Sequence, residues 1–279
     1  MPRRLSSLVA VLLIACACAG CMEDQYSLER GFWKIKKQAE LVFRNPKATP
    51  MKEVDRVIGL FDGFIARYPK NVLALSSEFQ VARLYLVKEE YDKGRQRLKR
   101  MLIKYKKLPV VCSEIQHLNA TSYQMQDQWA TALEEFKKVY QQYSLTQRGL
   151  ETPLYIGLYY KSKVEPDKMI AALNEAIEHY YSVIQKYPES AAAFRSYAMI
   201  TAAYGLMKRW PEAAQNISVM IEKFKDKVPM DRALFDLAVL YRKELKDTAR
   251  ARAALLRLTG DYPKSKLVKL ANELLKTLK

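Results

Sequence analysis

The protein is poor in the residues that tight turns, phosphate-binding loops and metal sites require. It has 9 Gly, 11 Pro, 2 His and 4 Cys among 279 residues. An all-β fold needs many tight turns, so this scarcity argues against one. The glycine-rich phosphate patterns G-x-G-x-x-G and G-x-x-x-x-G-K are both absent. We therefore expect an all-α protein that uses no cofactor and binds no metal.

The titratable residues form no catalytic pattern. His117 and His179 are far apart in the sequence, and neither G-x-S-x-G nor H-E-x-x-H occurs. The paired carboxylates Glu134 and Glu135 lie beside Lys137 and Lys138, which is typical of a solvated helix face. The sequence therefore predicts that the protein is not an enzyme and has no small-molecule substrate.

The first twenty residues have the layout of an export signal. Arg3 and Arg4 precede an apolar stretch from Leu5 to Ala15, and small residues follow at Ala19 and Gly20. The apolar stretch is too short for a transmembrane helix. We expect residues 1–20 to be a signal peptide that is cleaved on export.

The end of this segment, Cys18-Ala19-Gly20-Cys21, resembles the lipobox of bacterial lipoproteins. In that family the cysteine is lipidated and becomes the first residue of the mature protein. The resemblance implies lipidation of Cys21; Cys16 is the alternative, and so is an ordinary cleaved signal. Met22 stands where an inner-membrane retention signal would have Asp, which implies sorting to the periplasmic side of the outer membrane.

A repeated pattern of small and large residues runs through the rest of the sequence. The first small residue of each unit is followed three places later by Tyr. The second is followed four and seven places later by larger apolar residues. This spacing puts each set on one helical face, with the small residue where two helices approach. The small residues are Ala82, Ala120, Gly157, Thr201 and Ala238 in the first series, and Gly94, Ala132, Ala176, Ala213 and Ala251 in the second.

This pattern resembles the tetratricopeptide repeat (TPR), which has small residues at its eighth and twentieth positions and Tyr at its eleventh. Tyr-Pro tails at Tyr68-Pro69, Tyr187-Pro188 and Tyr262-Pro263 add to the resemblance. The repeat step of 37 or 38 residues is longer than the 34 of the family. The resemblance implies a TPR-like α-solenoid of about six antiparallel helix pairs plus a C-terminal capping helix.

Three regions and thirteen helices are predicted on this basis. The regions are the signal peptide (1–20), a lipidated tether with the first helix (21–50) and the repeat domain (51–279). The capping helix, Lys266–Leu278, is expected to turn Leu267, Leu270, Leu274 and Leu278 inward. The predicted pairs are Phe32–Arg44 with Lys52–Arg67, Val72–Val87 with Glu90–Tyr105, Cys112–Met125 with Gln128–Gln142, Glu151–Lys161 with Asp167–Lys186, Ala191–Met207 with Pro211–Phe224, and Asp231–Lys243 with Thr248–Thr259.

One repeat is longer than the others. The step from Ala132 to Ala176 is 44 residues. The seven extra residues predict that helix Asp167–Lys186 projects about 10 Å beyond its neighbours. This extension is interpreted as either a docking element or a surface insertion without a function. The remaining cysteine, Cys112, is predicted to be a small buried hydrophobic residue.

The resemblance also implies a partner-binding groove. TPR arrays bind extended or helical segments of other proteins in a groove lined by the first helices of their pairs. Several residues at the corresponding positions are cationic, so an acidic segment or the C-terminus of another protein is the expected ligand. The candidates are Phe79, Arg83, His117, Gln124, Lys161, Arg195 and Arg242.

Positive charge is densest in one predicted helix. The stretch Lys93–Lys107 contains eight Lys and Arg residues and no acidic residue. A cationic outer face is expected there, and export favours an anionic phospholipid surface or an acidic partner over nucleic acid. A merely solvated face is the alternative. The residues of this face are Lys93, Arg95, Arg97, Lys99, Arg100 and Lys104.

An exported, lipidated helical-repeat protein of this length resembles the BamD family, the helical lipoproteins of the machine that assembles outer-membrane β-barrels. The Cys21 lipobox, the Tyr-Pro tails and the lengthened helix Asp167–Lys186 carry this resemblance. It implies a non-catalytic scaffold that binds partner proteins during envelope assembly. A TPR adaptor for peptidoglycan remodelling or cell division is the alternative, and a lipid-surface component is the third.

Overall fold

The computed structural model describes the backbone of residues 5–278 and the side chains of residues 25–278. The predicted signal peptide and the lipidation site Cys21 lie outside the residues with described side chains. Over residues 5–278 the protein forms helices and no strand. The helices are α1 (Leu5–Arg44), α2 (Met51–Arg67), α3 (Val72–Val87), α4 (Tyr91–Lys104), α5 (Pro109–Met125), α6 (Trp129–Gln142), α7 (Gln147–Ser162), α8 (Pro166–Lys186), α9 (Ala191–Leu206), α10 (Trp210–Phe224), α11 (Asp231–Lys243), α12 (Thr248–Asp261) and α13 (Val268–Thr277).

The predicted all-α fold is confirmed, and most helix ends agree to within two or three residues. Two starts differ more: the first helix begins at Leu5 instead of Phe32, and α7 begins at Gln147 instead of Glu151. The Thr146 hydroxyl accepts a hydrogen bond from the Gly149 N–H at 3.0 Å, which caps α7 one turn earlier than predicted. None of the described helices is both long enough and apolar enough to span a bilayer.

A residue with positive φ occupies the turn inside each of the five pairs from α3 to α12. These residues are Glu89, Asp127, Val164, Lys208 and Lys246, with φ between 53° and 61°. One left-handed residue lets the backbone reverse within a short turn, so the second helix can run back along the first. Val164 is the unusual member, because a β-branched side chain disfavours this conformation.

The protein divides into two compact units. The first comprises Met1–Lys106 with Thr121–Gln126, and the second comprises Lys107–Ala120 with Asp127–Lys279. In the first unit, α1 packs on α2 and α3, and α3 packs on α4. Phe32, Phe61 and Leu84 are at the centre of this core. Ala82 and Gly94 are buried as the repeat pattern predicts.

In the second unit, consecutive helices pack in turn, with α7 on α8, α8 on α9, α9 on α10 and α11 on α12. The two apolar positions that follow each second small residue are buried throughout this unit, as predicted. They are Phe136, Val139, Tyr180, Val183, Ile217, Met220, Leu255 and Leu258.

The last helix, α13, packs on α12, but its inward face differs from the predicted one. Ala271 and Leu278 are buried, whereas Leu267 and Leu274 are half-buried and Leu270 is 47% exposed. Because Ala271 is fully buried and Leu270 is exposed, α13 turns a different side inward from the predicted one.

The lengthened helix α8 contacts its neighbour α7 in its added part. It has 21 residues, against 14 in α6 and 15 in α10. Leu173, in the added part, is fully buried and so close to α7 that a Cβ on Gly157 would lie 2.5 Å from its Cδ2. The added part of α8 is therefore anchored on α7 through Leu173, whereas Pro166, Asp167 and Ile170 at its start are exposed. The projection of about 10 Å stays a prediction.

A tyrosine joins the same two helices at their centre. The Tyr180 hydroxyl donates to the Leu150 carbonyl oxygen at 2.7 Å and accepts from the Leu154 N–H at 3.3 Å. In an uninterrupted α-helix those two backbone groups pair with each other. Pro153 lies between them and brings no N–H to the ladder. The hydroxyl therefore satisfies backbone groups of α7 beside a proline.

Gly149 provides the first test of this packing. A Cβ at Gly149 would lie 2.0 Å from the Tyr143 carbonyl oxygen, which the Thr146 N–H and hydroxyl already hold in place. We expect Gly149→Ala to lower the free energy of unfolding by about 3 kcal/mol, because backbone has to move. Gly260→Ala is the matched control, since nothing lies within 4 Å of its Cβ position. Its urea midpoint should stay equal or rise; equal midpoints for the two variants would contradict the prediction.

Val164 provides the second test. Its φ is 59° and its side chain is 85% exposed, so it contributes strain without packing. We expect Val164→Gly to raise the free energy of unfolding by about 1 kcal/mol through relief of that strain. Lys208→Gly, at the same turn position with an unbranched side chain, should raise it less. Urea titration of both variants measures the difference; an equal or larger gain for Lys208→Gly would refute the argument.

Candidate partner-binding site

The predicted groove residues lie on first helices in both units. In the first unit, Phe79 and Gln124 are half-buried and Arg83 is exposed. In the second unit, Lys161 on α7 and Arg195 on α9 are exposed, and these two helices contact each other. Neighbouring first helices therefore form a continuous surface over α7 and α9. Lys161 and Arg195 present positive charge to solvent.

His117 is not an open groove residue. Its ring makes edge contacts with Phe136, at 5.2 Å between centroids, and with Tyr155, at 5.9 Å. Burial lowers the pKa of His117 to about 4; the positive charge of Arg148 acts in the same direction, and Glu151 opposes it. The imidazole is therefore neutral near pH 7. His117 contributes packing to the second unit and no positive charge to a groove.

A concave site lies between α11 and α13. It is a pocket of about 520 Å³ with an apolar floor of Phe235, Val239, Leu270 and Leu274. Arg242, one of the predicted groove residues, is on its rim. Lys243, Glu273 and Thr277 line the rim as well, together with the ion pair of Arg232 and Asp236, whose atoms are 2.9 Å apart.

The charges on this rim are unevenly paired. Arg232 and Asp236 neutralise each other, whereas Arg242, Lys243 and Glu273 form no ion pair within residues 25–278. Two free cations against one free carboxylate leave the rim positive. An apolar floor with a cationic rim suits an amphipathic peptide that carries acidic groups or a terminal carboxylate.

The sequence-based prediction of the groove does not include the residues of α13 that form one wall of this pocket. Leucine spacing alone assigns Leu270 and Leu274 to the contact that closes the repeat array. The small Ala271, which is fully buried, is the signal that could have corrected this assignment. Because α13 is rotated, its leucines line a pocket instead of filling the core.

The predicted basic face on α4 is divided among several acidic partners. Arg95 bonds to Asp92 and to Gln126, both at 2.6 Å, and lies over the Tyr123 ring. Arg97 pairs with Asp62 at 2.9 Å. In both arginines less than a fifth of the side chain is exposed.

The residues at the two ends of that face, Lys93 and Lys104, also form ion pairs. Lys93 pairs with Glu90 at 2.9 Å, and Lys104 pairs with the buried carboxylate of Glu78 at 2.6 Å. Lys99 and Arg100 are exposed and make no ion pair within the described residues. The six residues therefore do not form one open cationic face. The sequence shows no acid inside the run, but acids from α2, α3 and the turn before α4 fold onto it.

The shifted pKa values of other titratable groups are explained by their burial in the fold. Cys112 is buried, as predicted, and burial raises the pKa of its thiol. Burial also lowers the pKa of His179, whose ring packs against Tyr140 at 4.8 Å. Among the described residues, no three His, Cys, Asp or Glu side chains are grouped so that they could hold a metal ion.

A comparison with protein families bears on the α11–α12 pair. A family model described as tetratricopeptide repeat matches residues 232–265. The match supports one TPR in this part of the protein. The match covers α11, α12 and the Tyr262-Pro263 tail, and α11 forms one wall of the pocket. No curated protein sequence matches this one.

Solved structures of TPR-like proteins resemble this protein in fold. BtubC from P. vanneervenii has 14% identity and a TM-score of 0.42, and the match covers 85% of this sequence and 91% of BtubC. The yeast Sti1 TPR2AB domain, solved in complex with pHSP90, has 15% identity and a TM-score of 0.33, and the match covers 88% and 98%. A tetratricopeptide repeat protein from Parabacteroides merdae has 11% identity and a TM-score of 0.35, and the match covers 89% and 99%.

The half-buried His117 predicts a pH dependence of stability. Its pKa is about 4 in the folded protein, below the ordinary value of 6.5, so the unfolded protein takes up the proton first. The free energy of unfolding should therefore fall between pH 6.5 and pH 4, by roughly 3 kcal/mol from this group. His117→Gln should remove that part of the slope. Urea titrations at several pH values measure it; identical slopes for both proteins would exclude the effect.

Proposed function

We propose that the protein is a non-catalytic scaffold that binds a partner protein in the pocket between α11 and α13. The observation that carries the proposal is the combination of an apolar floor with the free cations Arg242 and Lys243. The pocket lies on the repeat that matches the TPR model, in a class of fold built from helix pairs with accessible faces.

The ligand that fits this pocket is a peptide segment and not a small metabolite. The pocket is open along α11, and four apolar side chains line its floor. An amphipathic helix or an extended segment would bury its apolar residues there and bring acidic groups to Arg242 and Lys243. Each charge-assisted hydrogen bond formed with these two residues would add specificity.

The proposed setting is the periplasmic side of the outer membrane, with a lipid on Cys21 as the tether. The signal anatomy and the lipobox support export and anchoring. The resemblance to the BamD family supports a role in the assembly of outer-membrane β-barrels. The lengthened helix α8 carries less weight in that resemblance, because its added part is anchored on α7 through Leu173.

Affinity purification from detergent-solubilised membranes tests the proposal. The tagged full-length protein should recover a partner, and the double variant Arg242→Glu/Leu270→Asp should lose most of it. Arg252→Glu/Leu256→Asp is the matched control, because both residues are exposed on α12 and Leu256 is 51% exposed against 47% for Leu270. We expect a loss of about tenfold or more for the pocket variant and little change for the control.

The identity of the recovered protein separates the candidate settings. An outer-membrane barrel with soluble periplasmic repeats would support the assembly role. Cell-wall enzymes or division proteins, with no barrel, would reject the BamD-like role and leave an adaptor function. Equal recovery by both variants would refute the pocket as the binding site, whichever partner is found.

A further inference from the structure

The first helix, α1, has two different apolar sides. One side is buried against α2 and α3 and includes Phe32, Ala39 and Val42. The opposite side carries Tyr26, Trp33 and Leu41, which are 67%, 55% and 62% exposed. A helix that only needs to pack on its own unit has no use for large apolar side chains on its outer side.

Cations lie between these exposed side chains. Tyr26, Arg30, Trp33 and Lys37 follow the i, i+4, i+7, i+11 spacing, so they form one stripe along α1. Lys34 lies beside the stripe, and the ammonium group of Lys36 is 4.3 Å from the centroid of the Trp33 ring. Glu29 and Glu40 lie along the edge of this stripe.

This stripe differs from the basic run of α4 in how its charges are used. Arg30, Lys34 and Lys37 form no ion pair within residues 25–278, whereas Arg95, Arg97 and Lys104 on α4 are paired. Residues 25–50 contain six Lys and Arg residues and two Glu residues. Part of the free positive charge of this unit is thus available on α1, where it lies next to exposed aromatic rings.

Aromatic rings interleaved with Lys and Arg are the pattern of helices that lie in a membrane interface. Trp and Tyr are enriched at the depth of the headgroups, and basic residues are attracted to anionic lipids. From Tyr26 to Leu41 the stripe is about 22 Å long, which is enough for a helix to lie along the surface. A protein partner would be expected to bring acids of its own, but a bilayer matches both the length and the sign of charge.

We infer that the stripe of Tyr26, Arg30, Trp33, Lys37 and Leu41 lies on the headgroups of an anionic phospholipid surface. The inference rests on the proposed function only in one respect, namely that Cys21 is held at a membrane. The stripe begins five residues after Cys21, so a lipid on that cysteine would bring it to the surface. Contact along α1 would then orient the first unit on the bilayer. A flexible tether alone would not fix this orientation.

Fluorescence of Trp33 tests this inference in the full-length protein. The sequence has three Trp residues, and Trp129→Phe/Trp210→Phe leaves Trp33 as the reporter. Circular dichroism first confirms that this variant is folded. It is then bound to vesicles of phosphatidylglycerol with phosphatidylethanolamine, and to vesicles of phosphatidylcholine alone. Acrylamide reports access from water, and lipids brominated on their acyl tails report contact with the bilayer.

On the anionic vesicles we expect acrylamide quenching of Trp33 to fall roughly threefold and quenching by brominated lipid to appear. Arg30→Gln/Lys34→Gln/Lys37→Gln should restore acrylamide access to its level in solution. Lys70→Gln/Lys99→Gln/Arg100→Gln is the matched control, because it removes the same charge from exposed residues of the same unit. Its quenching should equal that of the parent protein.

Three results would overturn the inference. The first is a vesicle-bound protein whose Trp33 stays as accessible to acrylamide as in solution, which would leave the proposed anchoring intact. The second is absence of the protein from the vesicle fraction, which would overturn both the anchoring and the lipid-binding stripe. The third is shielding of Trp33 only after the co-purified partner is added, which would make the stripe a protein-binding surface. Loss of partner capture by the pocket variant is a separate measurement and is unaffected by any of these.

Discussion

The structure depends on close approach between helices at positions where one side chain is small. Leu173 of α8 packs directly on Gly157 of α7, where a Cβ would already overlap with it. Gly94 of α4 meets Leu86 of α3 in the same manner, with 2.9 Å between the Cβ position and Cδ2. Such contacts bury the large residue of one helix almost completely and gain the dispersion and hydrophobic energy of dense packing. They also set the distance between α7 and α8 and between α3 and α4.

Because the interior is filled in this way, the polar groups inside it stabilise the fold. The Tyr180 hydroxyl satisfies the Leu150 carbonyl and the Leu154 N–H beside Pro153, two groups whose burial without partners would be costly. His117 is neutral for the same reason, since its aromatic neighbours exclude water. Function is therefore assigned to surfaces, and the α11–α13 pocket and the α1 stripe are the two whose composition calls for a ligand.

Helix spacing and the TPR-like fold could be predicted from sequence, because the small and large positions recur at fixed intervals and each is locally determined. What sequence could not provide was the direction of side chains that meet across helices. Asp62 of α2 and Glu78 of α3 are remote from the basic run of α4 in the sequence, yet they neutralise Arg97 and Lys104. Only half of the pocket could be predicted for a similar reason: Arg242 follows from its repeat position, whereas Leu270 depends on how α13 rotates about Ala271.

Pairing of charges, and not their number, decides where this basic protein can attract a ligand. Pairing of Arg95, Arg97 and Lys104 with acidic residues reduces the field that α4 presents to solvent, so its high lysine and arginine content contributes mainly to packing between helices. Arg242 and Lys243 on α11, and Arg30, Lys34 and Lys37 on α1, have no such partner among the described residues and stand beside exposed apolar side chains. An apolar surface with unpaired cations gains on binding from both water release and charge pairing. The curvature of the two sites then separates their ligands: the concave pocket suits a peptide segment, and the convex outer side of a single helix suits the plane of a membrane.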